Sequence, residues 1–404
     1  MLANLHLPEL LALRGPLLID QLGVPRYWAS VWLAYQPSGL ASSTLDKKLA
    51  GIEALYRYSD ECFGLGALDD AIATIDTESL SSTLEGFFLT IKNKPPITAT
   101  SEYRWQSALQ FVLGSCSRLD RSSNRWELLS SRLAHFELLN MHLHISKQRR
   151  PERVRSLPSD VVKALYEMLD PEAAHNPFRG SNSRWRVWVI FILLLHQGLR
   201  RGELLSFPID VIKSGLDRNM REPRYWMTVR YNEYEDEESD PRYNAPSIKT
   251  ASSIRQIPVS RTIALLVDEY ATSYRGKADH SFLINSQTKT PLSHEGLTWL
   301  FGKITSSLPK TLRESLCDHT GSSVVTPHHL RHTCAVFRLN QMLSDGIEMR
   351  DALERMRVFF GWSRTSEEPL RYARAVFEDR LAAVWNIKFD DRVEVLRNIP
   401  SSLK

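Results

Sequence analysis

With 404 residues the chain is long enough for two domains, since single cores rarely grow much past about 250–300 residues. Its 43% hydrophobic and 24% charged content is that of an ordinary globular protein, and its four cysteines (Cys62, Cys116, Cys317, Cys334) form no CxxC pair, which excludes a disulfide framework or a cysteine zinc site. A net charge of +4 permits a polyanionic partner without demanding one, so where the charge sits matters more than its sum.

The opening MLANLHLPELLALRG lacks a basic n-region and carries Glu9 among its leucines, so no secretory signal is expected. Residues 1–24 read as an N-terminal extension. From 25 to 146 the chain is helical in pattern. YWASVWLAY and STLDKKLAGIEALYRYSDE carry apolar residues at helical spacing, with Ser43 or Thr44 as a cap, and NKPPITATSEYRWQSALQFVLGSC and RWELLSSRLAHFELLNMHLHI repeat the plan. His135, His142 and His144 have no Cys or carboxylate to complete a metal set and read as rim or core residues. Residues 147–157 form a basic linker holding Lys147, Arg149, Arg150, Arg153 and Arg155 against Glu152, either a solvated hinge or a DNA-contacting strap.

A second domain follows from 158 to 404. SDVVKALYEML and SRWRVWVIFILLLHQG read as helices, the second apolar nearly all round, as a central core helix is. Its longest apolar run, residues 187–195, is about half of what spans a bilayer, so no membrane partner is expected. RYWMTVRY (224–231) alternates as a strand, SIRQIPVS is a second strand, and the acid-rich EYEDEESD lies between them in a loop that belongs away from any phosphate backbone. Helical periodicity returns from 261. The expected fold is mainly α with a small antiparallel β-sheet, an α+β domain behind an all-α domain.

Distant stretches share one chemical character. In HQGLRRGELLSF, Arg200 leaves the core helix at Gly198 and Glu203 stands three residues on, where it can fix the guanidinium plane or simply form an intrahelical ion pair. In SIKTASSIRQIPVS, Lys249 sits near a hairpin tip, where a lysine is usually just solvated. In TPHHLRHT, Thr326 caps a helix with Pro327 in its first position. His328 and Arg331, three apart, share a face near the positive end of its dipole, which describes a seat for an anion. Further on, VFFGWSRTSEEPLRYARAV brings Trp362 and Tyr372, and a tyrosine so placed is by itself more often a core or rim residue than a nucleophile. The set includes no acidic cluster for Mg²⁺ and no Walker-type loop, so neither metal nor cofactor is expected. Two arginines, a lysine, a histidine and a tyrosine are what metal-free attack on a phosphodiester requires. The arginines neutralise developing charge, and a tyrosine of pKa about 10 is only about one part in a thousand ionised at pH 7, so it needs help to attack.

GLRRGELL, IKT before RQIPV, TPHHLRHT and GW followed by a tyrosine resemble the ordered motifs of the tyrosine recombinase (phage integrase) family, over about residues 25–390. The resemblance implies that Arg200 and Arg331 clamp the scissile phosphate and that Lys249 protonates the leaving 5′ oxygen. It implies that His328 assists proton transfer, that Trp362 donates its indole N–H and packs the site, and that Tyr372 forms a 3′-phosphotyrosyl bond. Glu203 takes the supporting carboxylate position and His332 a supporting place behind its neighbours. It also implies that the 158–404 domain is the catalytic one, that the two domains form a C-shaped clamp on double-stranded DNA, and that a homo-tetramer works on paired sites. Accessory DNA-bending or directionality proteins and a cytoplasmic, nucleoid-associated setting in a bacterium or phage belong to the same expectation. The stripe Val376, Phe377, Leu381, Val384 and Trp385 suits either exchange of tails between subunits or packing on its own domain. Two rival readings stand beside it: a type IB topoisomerase-like relaxase, which shares the phosphotyrosine chemistry, and a non-catalytic DNA-binding regulator on the same fold.

Overall fold

In this computed structural model, the described residues are 2–5, 15–37, 42–94, 98–119, 124–140, 155–216, 223–234, 240–242, 246, 248, 253–373 and 376. The chain divides into two compact units, residues 1–150 and 151–404.

The first unit begins with a hairpin, β1 (Leu2–Leu5) paired antiparallel to β2 (Gly15–Leu18), where only an extension was expected. Helices follow: α1 (Tyr27–Ala34), α2 (Ser42–Phe63), α3 (Ala67–Thr74), α4 (Thr77–Lys92), α5 (Ala99–Leu119) and α6 (Asn124–Asn140). Their apolar stripes meet in one core that includes Trp32, Ile52, Leu55, Leu84 and Phe111. Gly51 lets α2 and α5 touch, because a Cβ there would stand 2.9 Å from the Arg104 carbonyl oxygen. Ser43 and Thr44 lie inside the first turn of α2 instead of capping it, a shift of the size that helix ends commonly show.

The second unit is helical around a small sheet. Its elements are α7 (Ser159–Leu169), α8 (Ser181–Gln197), α9 (Arg201–Leu205), β3 (Ile212–Leu216), β4 (Pro223–Val229), β5 (Arg255–Val259), α10 (Arg261–Glu269), a π-helical turn (Tyr270–Tyr274), α11 (His294–Ser307), α12 (Lys310–Thr320), α13 (Pro327–Ser344) and α14 (Met349–Phe360). The strands run antiparallel in the order β3-β4-β5, with Met227 opposite both Ile212 and Ile257. Helix α8 is the centre of the unit, and its residues from Val189 to Leu195 are all buried in the core. Among the described residues no helix is long and apolar enough to cross a membrane.

Candidate functional site

The site is built where α8 ends. Gly198 terminates that helix in the left-handed region (φ +57°), and a Cβ there would lie 2.4 Å from a Phe360 ring carbon and 3.1 Å from Cys334 Sγ. Only glycine lets the chain turn that sharply against α13 and α14. The turn delivers Arg200 to the N-cap of α9. Glu203, at the third helical position, accepts the Arg200 backbone N–H at 2.9 Å and its Nη1 at 2.7 Å. The spacing that suggested an intrahelical pair thus does form one, but the carboxylate does more.

Glu203 is 1% exposed and also accepts a two-pronged hydrogen bond from Arg255, Nη1 at 3.0 Å and Nη2 at 3.1 Å, with Arg331 Nη1 at 3.9 Å. Burial by itself would raise its pKa. The Arg255 hydrogen bond and the charges of Arg255, Arg331 and Arg200 overcome that and hold it down to about 2. A single buried carboxylate therefore stays ionised and orders arginines from three segments.

Those same arginines converge on the C-terminus of α14. That helix closes in a Schellman arrangement: Trp362 N–H donates to the Arg357 carbonyl at 3.0 Å and Gly361 N–H to the Val358 carbonyl at 3.4 Å. The next three carbonyls are taken by guanidiniums. Arg255 Nε donates to Phe359 at 2.7 Å, Arg331 Nη2 to Phe360 at 2.7 Å, and Arg200 Nη2 to Gly361 at 3.3 Å. Arg331 also donates to the Gly198 carbonyl. Cations at the negative end of a helix dipole are favourably placed, so the cluster stabilises itself while fixing each planar group. Arg331 is 3% exposed, and burial, with the Arg200 charge next, lowers its pKa to about 9. The Arg200 side chain keeps 24% of its surface and donates a further bond to Ser253 Oγ at 3.0 Å.

Helix α13 starts as its sequence suggested. Thr326 Oγ1 accepts from His329 N–H at 3.3 Å, and His329 Nδ1 accepts in return from Thr326 N–H at 3.3 Å, so His329 completes the cap. The anion seat expected from His328 and Arg331 on one face takes a different form. Arg331 turns inward to the α8 and α14 carbonyls, while the exposed His328 pairs with His332, one turn on, at 2.8 Å between Nε2 atoms. A guanidinium on a long stem can reach buried carbonyls that an imidazole cannot, which separates the two side chains.

His332 Nδ1 lies 2.6 Å from Tyr372 Oη. Tyr372 sits in a helical segment, residues 368–373, and is 2% exposed. Its ring stacks on Trp362 (centroids 5.3 Å, 15°), which stacks in turn on Phe360 (4.7 Å, 15°), with Arg331 over the Trp362 ring at 5.8 Å. Burial first and the Glu368 charge second push the Tyr372 phenol well up, with Arg331 pulling it back in part. Burial and the neighbouring His328 hold His332 down to about 3, and burial holds His329 down to about 4. His328 is lowered as well, by desolvation of its ring and then by Arg331.

Arg200, Glu203, His328, Arg331, His332, Trp362 and Tyr372 are thus brought to one neighbourhood from well separated segments. Lys249 lies outside the described residues, as do Lys147, Arg149, Arg150 and Arg153, and also Phe377, Leu381, Val384 and Trp385. Arg155 is exposed, and its charge reaches His328, His329 and His332. Val376 is buried in the cluster that holds Trp362 and Tyr372, so the stripe's first residue packs on its own unit. Sequence reasoning missed Arg255 and Ser253. The first was detectable, because the alternation of RQIPV puts Arg255 on the same inward face as Ile257 and Val259, where a charge needs a partner.

No protein-family model and no curated protein sequence matches the chain. Among solved structures it is similar to the crystal structure of XerA recombinase, at 14% identity and a TM-score of 0.31, over 86% of this chain and 97% of that one. It is similar to XerH site-specific recombinase bound to a palindromic difH substrate in a post-cleavage complex, at 14% identity and a TM-score of 0.35, over 84% and 98%. The XerH pre-cleavage complex matches at 14% identity and a TM-score of 0.33, over 84% and 98%.

Proposed function

We propose that the protein is a metal-independent DNA strand transferase, a site-specific recombinase that cleaves and rejoins strands through a 3′-phosphotyrosyl bond to Tyr372. The observation that carries this reading is the junction at the end of α14, where Arg200 and Arg331 hold consecutive carbonyls and Trp362 leads into a tyrosine hydrogen-bonded to a histidine pair. Attack by a phenol on a phosphodiester needs fixed positive charge, a route for the phenolic proton and an acid for the leaving oxygen. Arg200 supplies charge at the rim of the site, and Arg331 supplies it from beneath. The Trp362 indole N–H, which meets no acceptor among the described residues, is the neutral donor beside them. Lys249 is the acid for the 5′ oxygen in this reading. Because the phosphotyrosine keeps the bond energy, a second 5′-hydroxyl can reverse the step, and strand exchange follows in place of hydrolysis. Work on paired sites by a tetramer, for integration or excision of a mobile element, belongs to the same reading.

The near-complete burial of Tyr372 and Arg331 favours a second reading, a DNA-binding regulator in which both side chains serve packing alone. Covalent capture decides between them. With a pool of nicked duplexes of random sequence, the wild type becomes attached to DNA in a form that survives denaturation and Tyr372→Phe does not. Attachment to no duplex supports the regulator. Relaxation of any supercoiled plasmid by the monomer supports a topoisomerase-like activity.

A further inference from the structure

We propose that His332, and not His328, is the base that takes the proton from Tyr372, with His328 as the second station of a two-histidine relay. The inference rests on the strand-transfer reading and assigns a specific proton path within it.

Three contacts in line define the path. Tyr372 Oη meets His332 Nδ1 at 2.6 Å, His332 Nε2 meets His328 Nε2 at 2.8 Å, and His328, an exposed residue, stands at the far end. The hydrogens follow from the inventory of each group. A phenol whose ionisation is disfavoured by burial carries its proton, so Tyr372 is the donor and His332 Nδ1 the acceptor. A neutral imidazole that accepts at Nδ1 carries its hydrogen on Nε2, and His332, held well below the usual histidine range, is neutral. The Nε2–H of His332 then donates to His328 Nε2, which fixes His328 with its hydrogen on Nδ1. Every nitrogen in the chain has one consistent role.

The groups around the pair are mostly cationic. His329 and Arg331 on α13, and Arg155, all disfavour a standing charge on His332. Desolvation, Arg331, Arg155 and Arg200 disfavour a charge on His328 as well and Glu368 favours it, but of the two residues His328 is the exposed one, so a proton arriving there can pass to water. A proton that leaves the buried phenol therefore has its exit to water at His328.

In the step itself, the Tyr372 O–H bond breaks as the bond from Oη to phosphorus forms. The phenolic proton goes to His332 Nδ1, and the Nε2 proton of His332 moves to His328 Nε2, leaving His328 as the cation. The electron pair of the P–O5′ bond goes to the 5′ oxygen, which takes a proton from the general acid. Reversal returns the proton along the same line.

Two measurements test this. In the DNA-free protein with ¹⁵N-labelled histidine, NMR at neutral pH is expected to show His332 neutral, with hydrogen on Nε2 and an accepting Nδ1. A His332 protonated at Nδ1, or cationic at neutral pH, overturns the relay. On a duplex recovered by covalent capture with the wild type, His332→Gln is expected to bind normally and to attach about 10²–10⁴-fold more slowly. Its rate should climb roughly tenfold per pH unit as the phenol ionises unaided. Sulfur in place of the bridging 5′ oxygen needs no proton to leave, so it should restore a general-acid variant but not His332→Gln. Attachment at the wild-type rate, or rescue by sulfur, overturns the role of His332. A wild type that attaches to no duplex instead overturns the strand-transfer reading, and the proposal with it, whichever tautomer is found.

Discussion

Glu203 has the most connected side chain of the site, and its charge is sustained by three arginines that it also orders. Removing one member of a buried ion network leaves the others uncompensated, which costs about 3–5 kcal/mol. Glu203→Gln, read by urea denaturation, is expected to lose stability in that range, and a loss near zero would show that Arg255 is satisfied by the Ser253 and Phe359 carbonyls alone. The pH dependence has a definite sign. Glu203 is depressed from 4.5 to about 2, so its contribution is complete above 4.5 and is lost as pH falls toward 2. His329 and His332 are depressed from 6.5 to about 4 and about 3, so the unfolded chain binds protons that the native one refuses. Stability should therefore fall as pH drops from 6.5 toward 3, and a flat profile over that window would contradict the buried neutral histidines. The Arg200–Glu203 pair was legible from the i,i+3 spacing alone. Arg255 was legible only as an inward-facing charge in need of a partner, and the partner was not, because it lies 52 residues upstream in sequence.

At the level of elements, the end of α14 organises the site, and Gly198 is what allows α8 to approach it. A left-handed residue with a Cβ costs about 1–2 kcal/mol, and here the added carbon would also strike Phe360. Gly198→Ala should lose at least that much stability. Trimming Phe360 to Leu in the same chain should cost less than in the wild type, and strict additivity of the two would refute the contact. Helix α7 was plain in the sequence from its 3.6-residue periodicity and α8 from its long apolar run, and so were β4 and β5 from their alternation. The strand β3 was not, since IKSGL has neither alternation nor β-branched content beyond Ile212, and it exists because β4 offers it an edge. The hairpin β1–β2 was hidden likewise in a leucine-rich stretch with no strand period.

At the scale of the whole molecule, two units each carry their own core, and the basic run from Lys147 to Arg155 lies where one gives way to the other. If those residues hold a duplex, affinity should fall linearly with the logarithm of salt concentration. Each neutralised Lys or Arg should lower that slope by about 1 without changing which sequence is preferred. A slope indifferent to Arg149→Ala and Arg153→Ala would make the run a solvated hinge.

The most direct measurement is covalent capture of DNA by the wild type and by Tyr372→Phe, run side by side and analysed under denaturing conditions. Strand transfer through Tyr372 predicts a protein–DNA adduct for the wild type, with a peptide carrying a nucleotide on Tyr372, and none for the phenylalanine variant. An adduct that persists in Tyr372→Phe, or one mapped to another residue, would contradict it.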